Sequence, residues 1–311
     1  MRDRLRLLTS AFALSALFAL TACVSDNAAP LSPPPAPVTD PTPDQATLEA
    51  MGYYTKIQDF YLATDRLRTD RGGADAPFGP SDLARNFMAI AFHEEFSDRG
   101  GTLIARAREV RLQRWAGPVR LAVDFGASVP ENQRQRDLAD VRGLAGRLSS
   151  LTGLPVSLVT ENPNIRIAID NPAERKAITA RLRSFLPGVS NAAVRSAAEM
   201  KPDVYCTVFS NMPGKSSIYD RAFVVIRGEL PDLMRRSCLH EEIVQGFGLI
   251  NDSPKARPSI FNDTEEYALL TRHDELLLRL LYDSRLRPGM TLTEARPIVE
   301  TIAAELMPGA S

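Results

Sequence analysis

The chain has 311 residues, of which 44% are hydrophobic and 24% charged, and its formal net charge is −1 at pH 7. Acidic and basic residues are interleaved, which argues against a dedicated nucleic-acid-binding protein, since such proteins normally carry a clustered basic face. The apolar content is sufficient for a folded core, and the length allows one large domain or two small lobes.

Residues 1–22 have the pattern of a bacterial lipoprotein signal peptide. Three arginines lie in the first six residues, a short apolar stretch follows, and "LTAC" ends at Cys23. We expect secretion, diacylation of the Cys23 thiol and stable attachment to a membrane, because several acyl chains anchor strongly. Val24 after the cysteine favours the outer membrane. The alternative is an ordinary signal peptide that contains a cysteine.

Residues 23–46 are rich in proline and lack an apolar period. They predict a disordered, semi-rigid tether with a reach of roughly 60 Å. Residues 47–115 are predicted to form a helical N-terminal lobe, with a helix capped by Ser81 and continuing into "FHEEF" at residues 92–96.

Residues 116–311 are predicted to form an α+β domain. Alternating or continuous apolar runs predict short strands in "PVRLAVDFG", "PVSLVT", "NIRIAID", "DVYCTVFS" and "RAFVVIRG". Helical spacing predicts a helix from Asp137 to Leu151 ending at Gly153, and another that begins at Pro231. The expected architecture is an N-terminal helical segment, a small mixed sheet with one helix packed on it, and a C-terminal helical part.

Two cysteines remain after Cys23, at positions 206 and 238. In an oxidising compartment such an even pair predicts a Cys206–Cys238 disulfide. Two separate buried thiols are the alternative.

The helix that begins at Pro231 carries the segment "CLHEEIVQGFGLIND". His240 falls in the middle of its apolar stripe, so we expect a hydrogen-bonded histidine on the packed side. If His240 were a zinc ligand, its partner one turn later would be Val244, which has no donor atom. Shifted by one residue, the segment has Glu241, Glu242 and Gln245 at the spacing of a zinc helix.

In that register the segment resembles the HExxHxxGxxH helix of metzincin-type metallopeptidases. The resemblance implies a vestigial ligand set of Glu241, Gln245 and Asn251, with Glu242 at the catalytic position. Gly248 occupies the glycine position, and Phe261, in "SIFND", replaces the methionine of the family's turn. A carboxylate and two amides suit zinc poorly, so we expect no zinc and no other cofactor.

The segments "LARNFMAIAFHEEF", "RWAGPVRLAVDFG", "RLSSLTGLPV", "HEEIVQGFGLINDS" and "LRPGMT" resemble a family of uncharacterised proteobacterial lipoproteins with a domain of unknown function. This resemblance implies a protein of the bacterial envelope, on the periplasmic face of a membrane. It implies nothing about chemistry.

These patterns favour a non-catalytic, degenerate metallopeptidase domain that binds or scaffolds another envelope protein or peptidoglycan, without nucleic acid. The alternative is a hydrolase of envelope protein or peptidoglycan, with Glu242 as general base and an oxygen-ligated metal or none. His93 with Glu94 or Glu95 could reach the same cleft, although a turn of amphipathic helix is the simpler interpretation of "FHEEF". Trp115 is interpreted as a packed anchor rather than a ligand platform.

Overall fold

The computed structural model describes residues 42–99 and 102–309 of the chain. The predicted signal peptide, Cys23 and nearly all of the predicted tether lie outside these residues. Within the described part, none of the helices has both the length and the apolar character that crossing a bilayer requires.

The described residues form nine α-helices and seven β-strands. The helices are α1 (Gln45–Ala63), α2 (Pro80–Ala91), α3 (Glu131–Thr152), α4 (Pro172–Arg175), α5 (Ile178–Phe185), α6 (Asn191–Glu199), α7 (Asp232–Gln245), α8 (Arg272–Leu281) and α9 (Leu292–Leu306). The strands are β1 (His93–Arg99), β2 (Thr102–Glu109), β3 (Val119–Phe125), β4 (Val156–Leu158), β5 (Ile165–Asp170), β6 (Cys206–Asn211) and β7 (Arg221–Arg227).

The central sheet has five strands in the order β4-β3-β5-β7-β6. Strands β4, β3, β5 and β7 are parallel, and β6 pairs antiparallel with β7 at one edge. Strands β1 and β2 form a separate two-stranded hairpin. The mixed sheet and the surrounding helices confirm the predicted α+β class.

The central strands β5 and β7 are mostly apolar and buried, because both faces of the sheet are covered. On one face, Ile165 and Ile167 of β5 join the main core, to which α2, α3, α7, α8 and α9 contribute. On the other face, Phe223 and Val225 of β7 join a smaller cluster with α5 and α6. The main core also includes residues of α1 and α2, so it contains side chains from both sides of the predicted domain boundary between residues 115 and 116. The division of the chain into two parts at that boundary stays a prediction.

Two helix ends show how well local signals work in this chain. Helix α3 ends as predicted, with Gly153 in the left-handed conformation at φ 72°. The predicted cap of α2 was wrong: Gly79, not Ser81, is the N-cap, and its N–H donates to the carboxylate of Asp82 at 3.0 Å. Pro80 takes the first helical position because its φ is already helical and its missing N–H costs nothing there.

The helix predicted through "FHEEF" ends earlier than expected. Helix α2 stops at Ala91, and His93 begins β1. Phe92, between the helix and the strand, is fully buried in the main core. The chain changes to a strand here because β2 returns alongside β1 and supplies the backbone partners of a hairpin.

Candidate functional site

A cleft of about 980 Å³ lies between the edge strand β6, the helix α7 and the segment that carries α6. All six residues of β6 line it, together with Glu241, Glu242 and Gln245 of α7. The structure therefore brings three of the four site residues predicted from the motif to one concave surface. Glu242 is 5% exposed at this surface, while Glu241 and Gln245 are half-buried.

His240 lies on the opposite side of α7, in the core, as its helical phase predicts. Only 6% of its surface is exposed, and its Nδ1 accepts a hydrogen bond from the backbone N–H of Leu270 at 3.2 Å. Burial, and then the positive charges of Arg147 and Arg236, lower the pKa of His240 to about 3. His240 is thus a neutral, structural histidine.

The disulfide predicted from the cysteine count is present. Cys206, the first residue of β6, is bonded to Cys238 of α7, and their Cα atoms are 5.9 Å apart. Cys238 precedes Glu242 by one helical turn, so the covalent bond joins two walls of the cleft directly beside this carboxylate. The alternative of two separate thiols was wrong.

The donor atoms at this end of the cleft do not fit zinc. Cys206 Sγ and the carboxylates of Glu241 and Glu242 lie within 4.8 Å of one another. The sulfur is committed to the disulfide, however, and cannot act as a thiolate ligand. Two carboxylates and the amide of Gln245 remain, and zinc prefers imidazole and thiolate.

Asn251, the fourth predicted site residue, does not line the cleft. It is 8% exposed, and its amide nitrogen donates to the backbone oxygens of Ala89, at 3.0 Å, and Asp252, at 2.8 Å. Its neighbour Asp252 lines the cleft instead. The turn after α7 therefore places Asp252, rather than Asn251, in the cleft that Glu241 and Glu242 also line.

The turn after α7 is held by two fixed contacts. Trp115 is 3% exposed and donates its indole N–H to the backbone oxygen of Gly246 at 2.8 Å, which confirms it as a packed anchor. Gly248 has φ 122°, and a Cβ at this position would lie 2.4 Å from the backbone oxygen of Gln113. Only glycine fits such a conformation and such a close approach.

The lining of the cleft is strongly acidic. Among the described residues that form it, eight are acidic and two, Arg195 and Lys201, are basic. Glu241 and Glu242 come from α7, Glu199 is the last residue of α6, and Asp203 lies in the loop after it. Glu94 lies in β1, and the other three acidic residues lie in loops: Asp252, Asp263 and Glu265. A concave surface with this charge concentrates cationic ligands.

Two of these acids, Asp263 and Glu265, had no signal in the sequence. Both have left-handed backbone conformations, with φ 56° and 55°, which are unusual for residues other than glycine. Burial, and then the nearby charge of Asp263, raise the pKa of Glu265. The fold holds both side chains at the cleft at a conformational cost of about 1 kcal/mol each.

The start of β1 reaches the same cleft. Glu94 lines it and forms an ion pair with Arg108 of β2 at 2.7 Å. His93 is instead paired with its own segment, since its Nδ1 lies 3.2 Å from the backbone oxygen of Met88. The side chain of Glu95 is outside the described part of the chain. The alternative in which "HEE" reaches the cleft, which the sequence did not favour, therefore holds for Glu94, while His93 is not among the residues that line the cleft.

The outer edge of β6 faces the cleft with backbone groups. The N–H of Arg227 donates to the backbone oxygen of Tyr205, and the register pairs Cys206 with Ile226. Because bonding alternates along an antiparallel pair, the N–H and C=O groups of Cys206, Val208 and Ser210 point away from β7. No strand of the described residues pairs with that side.

Comparison with known proteins finds one family. The family model described as protein of unknown function (DUF2927) matches residues 80–301 of the chain. No curated protein matches the sequence. No solved structure matches it either.

Proposed function

The chain belongs to the DUF2927 family, and from this starting point we propose that its domain is a non-catalytic binding module of the bacterial envelope. The ligand is an extended, positively charged segment of another envelope protein. The segment lies in the cleft and adds a strand to the outer edge of β6.

The outer edge of β6, with which no strand of the described residues pairs, is the observation that carries this proposal. An edge strand that presents unpaired N–H and C=O groups is a ready template for an added strand, and proteins usually block or cover such edges. Here the edge carries backbone groups at Cys206, Val208 and Ser210 and borders a cleft of about 980 Å³. Main-chain hydrogen bonds would supply affinity, and the surrounding side chains would select the sequence.

The charge of the lining supports a basic ligand. Eight acidic against two basic described residues give the cleft a negative field, which steers positively charged segments and repels acidic ones. Lysine and arginine side chains that alternate along an added strand would point to the two sides of β6. One of these sides is the wall formed by Glu241, Glu242 and Gln245.

We further propose that the domain is a degenerate metzincin-like fold that has lost its zinc chemistry. In support, Glu241, Glu242 and Gln245 share the cleft at the spacing of the family's ligand helix. Phe261, at the position of the family's methionine, is fully buried, and its backbone oxygen accepts from the N–H of Ser253 just after the motif.

Attachment to the outer membrane through Cys23, with the domain in the periplasm, is part of the same proposal. The Cys206–Cys238 disulfide supports an oxidising compartment, because such bonds rarely persist in the cytosol. The proline-rich residues 23–46 would let the cleft sample ligands within roughly 60 Å of the lipid surface.

A selection from a random decapeptide library against the full chain tests the proposal. We expect the selected peptides to be enriched in lysine, arginine and β-branched residues. Each selected peptide is then made in two methylated forms, one with methyl groups on the backbone nitrogens of odd-numbered residues and one on those of even-numbered residues. One form should lose binding, because the outer edge of β6 can bond only every second residue of an added strand, and the other should keep its affinity within about threefold. Equal effects of methylation in the two forms would reject strand addition.

The same peptides separate binding from hydrolysis. Each is incubated with the wild-type chain and with Glu242→Gln, and the products are examined by mass spectrometry. Intact peptides with both proteins support a binding module, and the lost negative charge should make Glu242→Gln bind the basic peptides more weakly. Cleaved peptides with the wild type alone would establish the hydrolase, with Glu242 as its general base.

A further inference from the structure

A second cavity, of about 380 Å³, is lined by residues other than those of the acidic cleft and has the opposite charge. It is lined by Arg71 and Gly72 from the loop after α1, by residues of α8, and by Leu306 of α9. Helix α8 contributes Arg272, Glu275, Leu276 and Arg279. The spacing of these positions places them on one face of the helix, so that both arginines project toward the same cavity.

The acidic residue in this cavity is already neutralised. The carboxylate of Glu275 is bonded to Arg71 through one oxygen and to Arg147 of α3 through the other, the latter at 2.6 Å. Glu275 is 16% exposed, so these two guanidinium groups hold its carboxylate against the protein. It therefore positions Arg71 at the cavity but has little capacity left to pair with Arg272 or Arg279.

Arg272 and Arg279 are exposed, and neither forms an ion pair with any described residue. Elsewhere on the surface, arginines commonly have carboxylate partners, as Arg285 has in Asp283 and Glu305. The lining of the cavity thus has three guanidinium groups against one carboxylate. The balance is a net charge of +2, before Arg147 is included.

We propose that this cavity binds a phosphate group. Guanidinium groups donate planar, paired hydrogen bonds to phosphate oxygens, and a phosphate monoester carries a charge near −2 with three acceptor oxygens. A ligand with this charge and three acceptor oxygens matches the three guanidinium groups of Arg71, Arg272 and Arg279 better than a ligand with one carboxylate group would. Leu276 and Leu306 form an apolar wall that would contact the carbon skeleton next to the phosphate.

The phosphate could be free, on a small molecule, or on a lipid headgroup, and two arms of one experiment distinguish these sources. Inorganic phosphate is titrated into the full chain by calorimetry at constant ionic strength. Vesicles of phosphatidylcholine, with and without phosphatidic acid, whose headgroup is a phosphate monoester, are tested by co-sedimentation. We expect saturable binding of one phosphate per chain in the first arm, phosphatidic-acid-dependent sedimentation in the second, or both.

The double variant Arg272→Gln/Arg279→Gln should weaken that binding at least tenfold. The matched control, Arg142→Gln/Arg287→Gln, removes the same charge from two other exposed arginines that form no ion pair among the described residues. It should leave the binding unchanged. Saturable phosphate binding alone identifies a soluble ligand, and vesicle binding alone identifies a headgroup. The proposal is wrong if neither probe binds, or if the control variant weakens binding as much as the double variant does.

Discussion

His240 provides a sharp test of how the motif helix is packed. We consider the variant His240→Asn, in which the side-chain amide oxygen can accept from the N–H of Leu270 as Nδ1 does now. The variant removes a titratable group and keeps an acceptor. Any pH dependence of stability that disappears in the variant therefore belongs to the imidazole.

The magnitude follows from the pKa of His240, which is about 3 in the folded chain against 6.5 for an ordinary histidine. Between these two values the unfolded chain binds a proton that the native chain does not, so the free energy of unfolding falls as the pH falls through 6.5. From pH 7.5 to pH 5 the loss due to His240 is about 2 kcal/mol. Other groups also titrate here; burial raises the pKa of Asp137, for example, to about 6.

The assay is urea unfolding of both proteins at pH 7.5 and at pH 5, with the disulfide intact. The difference between the pH effects on the wild type and on the variant cancels the other groups, and we expect the wild type to lose about 2 kcal/mol more. An equal loss in both proteins, or a larger loss in the variant, would refute the assignment of His240 as a buried neutral residue.

Three further predictions concern the walls and floor of the cleft. Replacing both cysteines, in Cys206→Ala/Cys238→Ala, should lower the free energy of unfolding by about 3 to 4 kcal/mol, given the sequence separation of 32 residues; an unchanged urea midpoint would contradict this. Gly248→Ala should lower the free energy of unfolding by more than about 2 kcal/mol, because φ is 122° at this position and the new Cβ would overlap the backbone oxygen of Gln113. The control Gly143→Ala, in α3 with open space around it, should stabilise the chain by about 0.5 to 1 kcal/mol, and equal effects of the two changes would argue against strain at Gly248. Trp115→Phe should lower the free energy of unfolding by about 1 to 3 kcal/mol, because it leaves the buried backbone oxygen of Gly246 without its indole donor. Thermal unfolding followed by circular dichroism measures this loss.

The sequence predicts those parts of the fold that depend on local or periodic signals. The apolar runs of β5 and β7 predict buried central strands, the glycine at position 153 predicts the end of α3, and the helical phase of α7 predicts the burial of His240. Each of these follows from residues that are close together in the chain.

Other parts depend on contacts that are distant in the chain. "FHEEF" is compatible with a helix or a strand, and the return of β2 decides between them. Likewise, motif spacing assigns Asn251 to the cleft, but Gly248 at φ 122° changes the direction of the chain, and Asp252 lines the cleft instead. Asp263 and Glu265 reach the cleft through left-handed backbone conformations that residues of their types rarely adopt, so no sequence pattern indicates them.

The bond between Cys206 and Cys238 has a consequence for how a ligand would associate. It ties the edge strand to the motif helix, so the relative position of these two walls is set when the cysteines are oxidised and not when a ligand arrives. Because the walls are already ordered before the ligand arrives, binding would not include most of the entropic cost of ordering them, as in other preorganised sites. Ligands of different sequence but similar charge would be expected to associate at similar rates and to differ mainly in how long they remain bound.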